Sequence, residues 1–113
     1  MKAVKINTVV NLTSGLSIPS GSVCVISEGY ADVKSQEDGL IPAQVATFLY
    51  ASESAMVEGK APIQGIEDFN TTFSGLELTV LDYETKTAEE LLINAVYSAL
   101  DEVYPSQVEI VTI

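Results

Sequence analysis

Asp82 and Glu84 stand two residues apart at the end of an alternating apolar run, and on a strand that spacing puts both carboxylates on one face. Paired oxygen ligands of this kind suit calcium or magnesium, and a carboxylate pair is also the starting point for acid-assisted hydrolysis. In a chain with sixteen acidic residues, however, the same pair reads more simply as a solvated strand end. With Glu67 and Asp68 it outlines an acidic surface that would attract a small or cationic partner.

Other nucleophiles lack the company they need. Cys24, the only cysteine, sits between Val23 and Val25 with no histidine in the chain and no lysine near it in sequence, so it reads as a small buried hydrophobe. A single cysteine also excludes an intrachain disulfide and a multi-cysteine zinc site. Residues 11–35 hold six serines and three glycines, which raises the question of a ligand-gripping loop. Yet Gly15-Leu16-Ser17-Ile18-Pro19 puts proline where a nucleophile elbow needs its last glycine, and no histidine exists to activate a serine. Neither the phosphate-cradling nor the dinucleotide-binding glycine spacing occurs, so the stretch reads as two strands joined by a turn. The expectation is a non-enzymatic chain with no catalytic, cofactor-binding or metal-ligating residues.

Composition narrows the partners further. The chain has 113 residues, five lysines, no arginine, no tryptophan and a net charge of −11, which repels phosphate backbones and anionic lipid headgroups. No direct binding to nucleic acid or membrane is expected. The opening MKAVKINTVVNL is broken by Asn7, Thr8 and Asn11 and makes a poor signal peptide, and no apolar window is long enough to span a bilayer. Asn11-Leu12-Thr13 and Asn70-Thr71-Thr72 match the glycosylation sequon, but without a secretory signal both read as chance matches. The length and the 47% apolar content fit one domain, residues 1–113, with one core.

The elements that must position these residues follow from periodicity. Residues 2–12 alternate as a half-buried strand, residues 13–22 carry turn residues, and residues 22–34 form a second strand with a bulge or bend at Gly29. Residues 35–42 form a polar turn around Gly39. Residues 43–53 read as a strand, although their alanines and glutamine also suit a helix. Residues 54–75 have no sustained period and are read as a long loop, which in a compact domain is functional or ordered against a neighbour. Within it, Phe69 and Phe73 either pin the loop to its own core or contact another subunit.

Residues 76–83 alternate as another strand. Residues 87–105 make the clearest element: Thr87 and Glu90 form a capping box, Pro105 ends the segment, and Leu91, Leu92, Ala95, Val96, Ala99, Leu100 and Val103 make an apolar stripe for packing on the sheet. A flanking stripe of Ile93, Tyr97 and Tyr104 belongs either to a wider core-facing arc or to a helix edge buried by another protomer. Gln107 to Ile113 closes the sequence as an apolar strand that must pair within the sheet or join another chain's edge. The fold class is therefore α+β: a small mixed or antiparallel sheet, or a sandwich, with one long C-terminal amphipathic helix followed by a terminal strand.

Three stretches, GLSIPSGSVCVISEGYADV, GLIPAQVATFLYASESAMVEGKAPI and ETKTAEELLINAVYSALDEVYPSQVEIV, resemble the small virion structural proteins of tailed bacteriophages, particularly crAss-like gut phages. That resemblance implies a component of the neck, tail or capsid, made in the host cytoplasm and resident in the virion. Such a component works as one copy in a ring or lattice, alongside copies of itself and other virion proteins. The candidate interface residues of such a homo-oligomer are Phe69, Phe73, Ile93, Tyr97, Tyr104 and Ile113. A neck or tail ring is the leading expectation and a capsid decoration protein the alternative. A monomeric acidic binding module, divalent-cation binding included, is the competing reading from another class.

Overall fold

In a computed structural model, which describes residues 1–64 and 66–113, the chain is an α+β fold. Its strands are β1 (Lys2–Ile6), β2 (Val10–Asn11), β3 (Ser17–Ile18), β4 (Ser22–Ala31), β5 (Leu40–Tyr50), β6 (Leu76–Thr79) and β7 (Val108–Thr112). Its helices are α1 (Glu53–Val57), α2 (Glu67–Asn70), α3 (Val80–Thr85) and α4 (Ala88–Val103). Five strands form one sheet in the order β6-β5-β4-β1-β7, every neighbouring pair antiparallel, and β2 and β3 pair separately.

The two long strands follow sequence chemistry closely. In β5 the odd-numbered residues Ile41, Ala43, Val45, Thr47 and Leu49 are buried, the period-two pattern of a strand with one core face. That alternation decides between strand and helix for this segment. Asp38 and Gly39 both have positive φ, 52° and 77°, between Glu37 and Leu40, whose backbones exchange N–H···O bonds of 2.9 Å. This is the two-residue turn that an Asp-Gly pair favours, and it sets β5 running. The irregularity in β4 lies between Ile26 and Glu28, just before Gly29. Gly29 answers a different need: a Cβ there would come within 2.8 Å of Leu92 Cδ1, so its bare backbone lets α4 approach the sheet.

The core lies between the inner sheet face and α4. Val4, Ile6, Cys24, Val45 and Leu49 meet Ile93, Val96 and Leu100, while Val10, Leu12 and Ile18 from the β2–β3 hairpin and Phe69 and Phe73 close the ends. A second cluster joins Leu91 of α4 to Ile41, Ala43 and Leu78. The helix therefore buries a wide arc that takes in Leu91, Ile93, Val96 and Leu100, with Val103 half exposed at its C-terminal end. The expected stripe packs inward apart from Val103: Leu91, Val96 and Leu100 are buried, Leu92, Ala95 and Ala99 pack against the two clusters, and the flanking Ile93, Tyr97 and Tyr104 widen the arc.

Three expected spans change character. The strand expected over 2–12 divides into β1 and β2, which lie in different sheets. The strand expected over 76–83 stops at Thr79, whose side-chain hydroxyl accepts a 3.2 Å hydrogen bond from the Asp82 N–H and opens α3. The region expected as a continuous loop contains α1, capped by Ser52, and α2 followed by a 3₁₀ turn at Thr71–Phe73.

Candidate functional site

The acidic pair is the first feature to be repositioned. Asp82 and Glu84 lie on α3, where residues two apart point to different sides of the helix, and Asp82 Oδ1 lies 3.6 Å from Lys86 Nζ one turn on. The shared strand face on which the cation reading depended does not form. The side chains of Glu67 and Asp68 fall outside what the structure describes. Among the described residues, no group of three or more histidine, cysteine, aspartate or glutamate side chains is placed to hold a metal ion. An open groove of about 380 Å³ runs along the junction of β6 and α3 with α4, with Leu78, Leu91 and Ala95 in its walls and Glu77, Asp82 and Glu102 among its polar lining.

Cys24 is fully buried opposite Leu49, and desolvation pushes its thiol from 9.0 up to about 12, with a side-chain hydrogen bond between it and Thr47 acting the other way. It has neither the exposure nor the ionisation of a nucleophile. Thr47 is tied in turn to α2: its hydroxyl donates to Asn70 Oδ1 at 2.6 Å and its N–H to the same oxygen at 3.2 Å. That bonding engages the Asn70 amide, the residue that begins the second sequon.

The residues expected at an interface divide into two groups. Phe73 and Ile93 are completely or almost completely buried and Phe69 nearly so, the two phenylalanine rings meeting edge to face at 5.5 Å and 77°. In this fold these three side chains fill the chain's own core and present no appreciable surface to another chain. Tyr97 and Tyr104 are half-buried against that core, and burial pushes the Tyr104 hydroxyl pKa upward. Ile113 is half-buried on the opposite side of the sheet, beside Ala3, Val23, Val25 and Val111.

That opposite side is the surface which residue-by-residue reading missed. Cross-strand pairing sets Val23 beside Tyr50, Val25 beside Phe48 and Tyr30 beside Gln44 on the outer sheet face. The five-residue α1 contributes Met56 to this face, and Lys5 of β1 reaches Glu53 at its start at 3.6 Å. Several of its apolar side chains stand in solvent: Phe48 is 47% exposed and Tyr30 59%, and Val57 at the end of α1 is 70% exposed. The signal was present in the sequence as apolar residues at even positions of 40–50, but it becomes a face only once β4 is paired in register.

The sheet is also open at its edges. β6 is short, carries Glu77 and runs directly into α3, whereas β7 is an apolar strand paired only with β1. Comparison with models of known protein families, with curated proteins and with solved structures found no match to this chain. The fold class is an α+β antiparallel sheet with one long helix.

Proposed function

We propose that this chain is a non-enzymatic structural subunit that assembles with copies of itself, one copy per position in a ring or lattice of the neck or tail of a tailed bacteriophage. The observation that carries the assembly reading is the outer sheet face, where Phe48, Tyr30 and Val57 stand exposed beside a buried apolar cluster. An apolar surface continuous with a buried cluster is what a partner covers. The virion assignment is supported by the likeness of the three quoted stretches to small phage structural proteins, and a capsid decoration protein is the alternative position within the particle.

Solution mass tests the assembly. Light scattering over a concentration series is expected to show a discrete oligomer, and Phe48→Glu is expected to weaken it at least tenfold while leaving the fold intact, because that ring is already half in solvent. A monomer at every concentration would remove the reading. Peptides of this chain in purified, nuclease-treated phage particles would place it in the virion, and their consistent absence would reject that assignment.

A further inference from the structure

We infer that two copies of the chain join edge to edge through β7, in antiparallel register centred on Ile110, so that their sheets become one. This rests on the reading of the chain as a self-assembling subunit and names the surface where the first pairing occurs. The geometry follows from the β1–β7 ladder. The Ile113 N–H donates to the Met1 carbonyl at 2.8 Å and the Asn7 N–H to the Gln107 carbonyl at 2.6 Å, while Ala3 faces Val111 and Lys5 faces Glu109. In an antiparallel pair hydrogen-bonded and non-hydrogen-bonded positions alternate, so odd-numbered residues of β7 bond to β1. The N–H and C=O groups of Val108, Ile110 and Thr112 therefore point away from the sheet.

One register uses all of these groups. Centring the pair on Ile110 sets Val108 opposite the second copy's Thr112 and the two Ile110 residues opposite each other, each an outward-bonding position meeting another. Centring on Glu109 puts two like charges directly opposite, which is destabilising, and centring on Val111 sets Val108 opposite no residue of the second β7, whose strand conformation ends at Thr112. The chosen register also covers Ile110, which is 38% exposed on the inner side of the sheet.

The occupant follows from charge. β1 and β7 carry Lys2 and Lys5 against Glu109, and with Glu53 paired to Lys5 this strip is neutral in a molecule of net charge −11. This edge is where two strongly acidic copies can approach with least repulsion. β7 also lacks the proline, bulge or run of charges that guards a free edge, while β6 at the other end is short, charged and abutted by α3. With one edge guarded, the open one pairs with its own counterpart about a two-fold axis.

Ile110→Pro tests this selectively, because the N–H it removes points away from β1 and the internal ladder is kept. The wild type is expected as an even-numbered oligomer, and Ile110→Pro at no more than half its mass with unchanged circular dichroism. Cysteine cross-linking reads the register independently of whether that variant folds. Two Ile110→Cys copies would place their Cα atoms about 5.5 Å apart, within disulfide reach, whereas two Glu109→Cys copies would lie roughly 7–8 Å apart, outside it. Rapid oxidation of Ile110→Cys to a dimer, with none for Glu109→Cys, is the expected result. An unchanged mass for Ile110→Pro, or cross-linking through position 109 and not 110, would overturn this pairing while leaving self-assembly standing. A monomeric wild type would overturn both.

Discussion

At the scale of single residues, burial has converted potential chemistry into packing. Cys24 shows this most directly, since its thiol holds its proton up to about 12 in the fold against 9.0 outside it. Because the folded chain binds that proton more tightly, its contribution to stability is complete below pH 9 and is lost as pH rises through the window toward 12. Within that window the loss is about 1.4 kcal/mol per pH unit. Urea midpoints measured at neutral and alkaline pH are expected to fall more steeply for the wild type than for Cys24→Ala, which removes this titration. Equal slopes would mean that the thiol is not held in a dry site. Phe69, Phe73 and Ile93 tell the same story without charge: large apolar side chains in one small fold are taken first by its own core.

At the scale of elements, capping explains where helices begin. Thr87 accepts a hydrogen bond from the Glu90 N–H at 3.2 Å, Glu89 and Glu90 occupy the first turn of α4, and the helix runs to Val103. Because α4 covers the inner face of the sheet, losing its cap is felt by the whole fold. Thr87→Ala is expected to lower unfolding free energy by about 1 kcal/mol, while Thr87→Ser stays close to wild type; chemical denaturation distinguishes them. The same threonine-then-acid spacing at Thr79 and Asp82 starts α3, and it ends a run whose alternation had looked like a longer strand. A local cap competes with period-two alternation there, and the alternation extends too few residues beyond Thr79 to win.

At the scale of the molecule, charge and open surface pull against each other. Among the described residues two ion pairs form, Lys5–Glu53 and Lys86–Asp82, both partly exposed and each worth little. Neither pair changes the net charge of −11, which acts as repulsion between copies. Added salt shortens the range of that repulsion and leaves apolar burial intact. Assembly is accordingly expected to strengthen from low to moderate salt. A mass that falls as salt is added would mean that attraction between charges, not apolar contact and strand pairing, holds the copies together.

The sequence by itself determined the α+β class, the long capped helix, the turn around Gly39, the apolar terminal strand and the charge of the surface, because each rests on contacts between near neighbours or on composition. It also marked Cys24 as buried. Tertiary structure decided the rest. Which flank of α4 faces inward depends on how it crosses two clusters, so Ile93 joined the core and Val103 did not. Whether Asp82 and Glu84 share a face depended on where β6 gave way to α3. The outer face around Phe48 and the open edge of β7 exist only through strand order, and strand order is set by pairings between residues as distant as Ala3 and Val111, whose periodicities do not specify their partners.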